Sequence, residues 1–133
     1  MPVYRSLLFG CGGRASGHAP AYRELRNMEL VGVCDMVAER REAFQKAYGA
    51  PAAYADYEAA LAELQPDIVH IVTNPGHRVW EIGCAAKAGV KAVIVEKPLA
   101  IKPSDMEGLE RIHAESGMRI VVNAQRRYYP QFR

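Results

Sequence analysis

YRSLLFGCGGRA, residues 4–15, decides the fold: a largely apolar run empties into G-x-G-x-x-A, and the next apolar run ends on Asp35, 20 positions after Ala15. A glycine-rich turn alone is common. Between a strand and a helix, with an acid closing the second strand, it is the pattern that cradles a dinucleotide. Gly10 can take the tight turn, Gly12 bares the backbone where a pyrophosphate approaches, and Ala15 lets the helix sit close on the strand. Gly13 and Arg14 complete the turn, whose free N–H groups stand at the positive end of the helix dipole. Asp35 can accept hydrogen bonds from both adenosine ribose hydroxyls, or it can cap a helix. Its charge repels a 2′-phosphate, so NAD is the expected cofactor. NADP is the lesser expectation, because Arg14, Arg40 or Arg41 can neutralise such a phosphate; a solvated helix face is the other reading of Arg40 and Arg41.

Outward from that turn, the hydrophobic period alternates along the whole chain. Strand-like runs fall at residues 4–9, 30–34, 68–73, 92–95 and 119–122, with a shorter one at 52–54. Helix-like stretches lie between them at 19–27, 38–48, 57–64, 78–88 and 104–116. Gly49, Gly89 and Gly117 follow helical stretches where a left-handed cap wants glycine. Asp56 can cap the helix at 57, and Ser104 with Glu107 reads as a capping box for the last one. Pro20 conflicts with an unbroken first helix and predicts irregular backbone up to about residue 19. Strands alternating with single helices give an α/β fold of the Rossmann type. The expectation is one domain, residues 1–133, with a doubly wound, mostly parallel six-stranded sheet.

Composition narrows the function classes. Seventeen basic against fifteen acidic residues leave a net charge of +2, which argues against nucleic acid or a membrane surface as partner. No apolar run reaches the roughly 18–20 residues of a membrane span. Cys11, Cys34 and Cys84 are odd in number and lack zinc-type spacing, so no metal and no disulfide framework is expected. Buried free thiols suit a reducing compartment, the cytoplasm.

The second chemical cluster is VIVEKP, residues 93–98: a buried strand delivers a carboxylate, a lysine and a proline to the carboxyl edge, where ligands bind in open α/β sheets. Lys97 can hold a substrate hydroxyl and favour alkoxide character as hydride leaves the carbon. Pro98 can fix the turn, a cis peptide being one way. An ordinary surface Glu–Lys pair is the competing reading of Glu96 and Lys97.

GCGGRASGHAPAYREL, ELVGVCD, VTNPGHR, AGVKAVIVEKPLA and QRRYYPQFR, taken in that order, resemble the amino-terminal half of the Gfo/Idh/MocA oxidoreductases, which include glucose–fructose oxidoreductase and inositol dehydrogenase. The resemblance implies NAD(P)-dependent oxidation of a secondary alcohol on a sugar, cyclitol or related polyol. It places Gly10, Gly12, Arg14, Ala15 and Asp35 at the dinucleotide, and Thr73 and Asn74 on a loop past the cofactor ribose. Glu96 and Lys97 fall on the E-K-P positions, with Lys97 the catalytic or substrate-orienting residue. Gln125 and Arg126 fall near the nicotinamide and substrate. The family's histidine lies five places after the threonine; here His77 is at four and Arg78 at five. His77 is thus either a substrate-side residue or simply helix entry. His18 reads as structural or surface, His70 as a core residue and His113 as a helix-surface one.

The resemblance also implies a carboxy-terminal domain that carries the substrate pocket, a general-base histidine and most of the oligomer contact. None of it lies within these 133 residues. The expectation is therefore a cofactor-binding half, inactive alone and monomeric, cut or cleaved from an enzyme that is a homo-oligomer when intact. A free-standing nucleotide-binding or sensor module acting through a partner protein is the alternative, and residues 128–132 are where either reading expects an apolar patch. A domain binding another nucleotide or a methyl donor is a third reading, disfavoured by Lys97.

Overall fold

The computed structural model describes residues 1–132. Six strands form one sheet: β1 (Tyr4–Phe9), β2 (Met28–Cys34), β3 (Ala53–Tyr54), β4 (Ile68–Ile71), β5 (Ala92–Glu96) and β6 (Arg119–Asn123). Their order is β3-β2-β1-β4-β5-β6 and every pairing is parallel. The chain returns through β1 to β4 on the other side, so the strand order reverses between those two strands. That reversal opens the crevice where a doubly wound sheet binds its ligand. The fold is the Rossmann domain expected, with the sheet wholly rather than mostly parallel.

Alternation along each strand sends side chains to opposite faces. Leu7, Phe9, Val69, Ile71, Val93 and Val95 pack with residues of α4 (Tyr57–Leu64), α5 (Arg78–Lys87) and α6 (Pro103–Ser116). Leu8 and Val33 face the other way, onto Ala15 of α1 (Gly13–His18), Ala19, and Phe44 of α3 (Ala38–Tyr48). Both faces of the central strands are therefore covered, which is why their sequences are mostly apolar, with buried Ser6 and His70 as the polar exceptions. All three cysteines are free and buried.

Two helix starts differ from expectation. The first helical stretch begins at Gly13, not near residue 19, and Pro20 divides it into α1 and the single turn α2 (Ala21–Glu24). Proline has no N–H for the next helical bond, and the break falls there. Residues 25–27 are not helical. The last helix opens at Pro103, with Lys102 as its N-cap, so Ser104 lies inside it and caps nothing. Proline's fixed φ suits the first helical position, and Asp105 rather than Glu107 accepts from the Lys102 amide at 3.3 Å. Asp56 caps α4 as expected, accepting from the Ala59 amide at 2.7 Å.

Candidate functional site

The glycine turn is shaped by contacts that its sequence made necessary. Gly10 has φ +98, and a Cβ there would stand 2.7 Å from the Val72 carbonyl oxygen. The turn thus lies against the end of β4, a backbone-to-backbone approach only glycine allows. Gly12 and Gly13 are different: a Cβ on either meets nothing within 4 Å. Nothing among the described residues demands glycine at these two places, and the bare backbone there faces open space. Ala15 is fully buried against the strand behind it.

Asp35 closes the other side of the turn. Its two carboxylate oxygens accept from the Cys11 amide and the Val37 amide, each at 2.8 Å. Each oxygen keeps a further lone pair, so the carboxylate both staples the turn to the end of β2 and can accept from a ribose. Arg41 donates to the Asp35 carbonyl at 2.7 Å, while Arg40 is exposed. Burial, reinforced by the Asp35 charge, pushes the Cys11 thiol up to about 12. This cysteine packs as an uncharged side chain.

Glu96, the last residue of β5, is the hub of the opposite half. Its buried carboxylate accepts from Arg14 Nε at 3.1 Å and from Asn123 Nδ2 at 2.6 Å, and lies 2.7 Å from His18 Nε2. Burial raises the Glu96 pKa, but the hydrogen bonds from Asn123 and Arg14 and the nearby charges outweigh it and hold the carboxyl below its ordinary value. Glu96 therefore ties α1 and β6 to β5. Lys97 follows it, exposed, through a cis peptide to Pro98. His70, buried on β4, stacks edge-on against His18 with ring centroids 4.7 Å apart. Burial, with the His18 charge, lowers the His70 pKa to about 4.

A second network lies beneath. Arg78, the first residue of α5 and 2% exposed, donates from Nη1 to Thr73 Oγ1 at 2.7 Å and to Glu81 Oε2 at 2.9 Å. From Nη2 it reaches the Thr73 carbonyl at 2.9 Å and the Glu96 carbonyl at 3.3 Å. Thr73 Oγ1 in turn donates to Glu81 Oε1.

Arg14, Lys97, Ala124, Gln125, Arg126 and Arg127 line an open cleft of about 470 Å³ at the carboxyl edge. Of the residues singled out from sequence, Arg14, Lys97, Gln125 and Arg126 thus meet at one cavity. Gly10, Gly12, Gly13, Ala15 and Asp35 form the adjoining turn, and Glu96 joins turn to cleft through Arg14. Thr73 and Asn74 stand at the end of β4, outside the cleft lining; the Thr73 hydroxyl points to Arg78 and Glu81, and Asn74 is exposed. His77 is exposed in a short 3-10 turn, Pro75–His77, and lines no part of the cleft.

Sequence reasoning missed four partners. His18, assigned a plain structural or surface role, contacts the Glu96 carboxylate; its spacing of four from Arg14 puts both on one helix face, which was the available signal. Arg78 and Glu81 are likewise three apart on one face. Asn123 gave no local signal, since its partner lies 27 residues earlier, on the neighbouring strand β5. His70 is a core residue, and exposed His113 bonds the Met118 carbonyl through Nδ1 at 2.8 Å, both as expected. Among the described residues no cluster of three His, Cys, Asp or Glu side chains could hold a metal ion. No described helix is long and apolar enough to cross a membrane.

Residues 4–124 match the sequence model of the Gfo/Idh/MocA group, described as an oxidoreductase family with an NAD-binding Rossmann fold. D-apiose dehydrogenase of Paraburkholderia graminis is 34% identical over 128 residues, covering 96% of this chain and 34% of the relative. Inositol 2-dehydrogenase of Salmonella typhimurium is 32% identical over 127 residues, covering 91% of this chain and 37% of the relative. Among solved structures, the WlbA dehydrogenase of Bordetella pertussis, in complex with NADH and UDP-GlcNAcA, superposes with a TM-score of 0.89 at 30% identity. That match covers 98% of this chain and 39% of the other. The chain spans about a third of the length of the curated relatives it matches.

Proposed function

The chain belongs to the Gfo/Idh/MocA oxidoreductase family, and on that premise we propose that it binds NAD as the cofactor half of a dehydrogenase acting on a secondary alcohol of a sugar, cyclitol or similar polyol. One observation carries this reading: the open space before Gly12 and Gly13, the Asp35 carboxylate and the cleft containing Lys97 lie along one carboxyl edge, linked through Glu96. When bound, the dinucleotide supplies the hydride acceptor. The amides of the glycine turn bind its phosphates, and Arg14 adds positive charge beside them. The free lone pairs of Asp35 accept from the adenosine ribose. Asp35 carries negative charge where a 2′-phosphate would sit, which favours NAD over NADP; the Arg41 guanidinium, bonded to the Asp35 carbonyl, reduces that preference without reversing it.

Lys97 Nζ, at the mouth of the cleft, holds the substrate hydroxyl and stabilises developing alkoxide charge. Gln125 and Arg126 shape the far wall. Hydride transfer requires donor and acceptor carbons held at roughly 3–3.5 Å, and a cleft open on this scale holds a small polyol only loosely. This chain therefore binds cofactor and turns over negligibly by itself, with the remaining pocket and the oligomer contact lying elsewhere in the intact enzyme. Three buried free thiols favour a reducing, cytoplasmic setting.

Calorimetric titration with NAD, NADH, NADP and NADPH tests the proposal. NAD(H) is expected to saturate the chain and NADP(H) to bind more weakly, with Asp35→Asn narrowing the difference. Absence of binding by all four would overturn the cofactor reading. Polyol dehydrogenase activity by this chain alone would overturn the statement that it is catalytically incomplete.

A further inference from the structure

We propose that Arg78 is a positioning residue that sets the nicotinamide half of the dinucleotide site by locking the ends of β4 and β5 together. The inference rests on the cofactor reading above. Strand order carries the first part of the argument. Asp35 ends β2 on one side of β1, whereas β4 and β5 lie on the other. With neighbouring strands about 4.8 Å apart, the ends of β2 and β5 are roughly 14 Å apart, so adenosine and nicotinamide are held by different strands. Arg78 touches only the second set.

Its four donated hydrogen bonds carry the second part. Nη2 alone bridges the carbonyls of Thr73 and Glu96, the residue after β4's end region and the residue before Lys97. Nη1 holds the Thr73 side chain, and Glu81, 3% exposed, neutralises the guanidinium and accepts from the same threonine. A buried ion pair of this kind contributes little net stability compared with apolar residues of similar volume. What it does supply is geometry: a planar fork fixes two backbone loops at once, and a lysine in its place has one nitrogen for four acceptors.

The test compares NADH with ADP-ribose, which has the same adenosine and phosphates but no nicotinamide, by calorimetry on the wild-type chain and on Arg78→Lys. Wild type should bind NADH more tightly than ADP-ribose. Arg78→Lys should lose roughly tenfold in NADH affinity, the scale of one charge-assisted hydrogen bond, while ADP-ribose binding stays within about twofold. A purely structural role would weaken both ligands alike, and that result, or no change in either, overturns the proposal. If thermal unfolding shows that Arg78→Lys does not fold, the double variant Arg78→Met/Glu81→Met, which removes the fork without leaving a buried charge unpaired, must give the same NADH-selective loss. A wild-type chain that binds neither ligand would remove the cofactor reading itself, whereas one that binds both equally would overturn only the role of Arg78.

Discussion

The two halves of the carboxyl edge are built by different physics. On the β1–β2 side the shape is made by backbone: Gly10 against the Val72 carbonyl, and an aspartate whose oxygens take main-chain amides. On the β4–β5 side it is made by long side chains, a buried guanidinium and two buried carboxylates gathering hydroxyl, amide and carbonyl partners from four elements. A backbone-built site breaks chiefly by steric contact, with Asp35 its one charged anchor. A side-chain-built site breaks when one charge loses its counterpart, and can be mended by removing the other.

The largest effect should come from breaking the second half. Arg78→Met leaves Glu81 buried and unpaired, and should cost about 3–5 kcal/mol in urea unfolding. The double variant Arg78→Met/Glu81→Met should recover most of that loss. Full persistence of the deficit would mean that the pair is not the main interaction. Next comes Gly10→Ala, which combines a positive φ with a backbone clash and should cost about 2–3 kcal/mol. Gly12→Ala, one turn residue away, meets no protein atom and should stay within about 0.5 kcal/mol while weakening NADH binding. Equal destabilisation by the two alanines would erase the distinction between a glycine required by the fold and one required by a ligand.

Acid provides a third, smaller test. His70 titrates at about 4 in the folded chain against an ordinary 6.5, so the unfolded chain takes up its proton first as pH falls. Stability present above pH 6.5 is therefore lost progressively down to about 4, amounting to about 2 kcal/mol near pH 5. Glu96, held below its ordinary 4.5, adds its own loss from about pH 4.5 downward. Urea unfolding at neutral and mildly acid pH should show that His70→Asn flattens the upper part of this dependence; an unchanged slope would place the acid sensitivity elsewhere.

The same contrast explains what could be read from sequence. Backbone-made features need special residues at fixed short spacings, so the glycine turn, Asp35, the Asp56 cap and all six strands were legible. Side-chain networks are made by contacts distant in the chain: Arg14 and Glu96 are 82 residues apart, Arg78 and Glu96 18. Glu96 and Lys97 were legible as a cluster, but the partners of Glu96 were not. The helix start at residue 103 was misplaced because proline, poor inside a helix, suits its first position, and the one at residue 13 because the glycine turn runs directly into α1. His77 drew attention by type, whereas its neighbour Arg78 holds the loops because α5 turns that position inward.

The buried thiols give each half its own clock. Burial pushes Cys11 and Cys34 up to about 12 and raises Cys84 as well, so at neutral pH none is a ready nucleophile while folded. Cys11 sits in the glycine turn and Cys34 at the end of β2, whereas Cys84 lies on α5, the helix that begins with Arg78. An alkylating reagent reaches Cys11 and Cys34 only when their neighbourhood opens, and Cys84, which borders a surface cavity, with less opening, so the labelling rate at each reports the local mobility around it. Mass spectrometry of partially labelled chains would read the cohesion of the two halves separately in one tube, and would show which of them a bound dinucleotide closes.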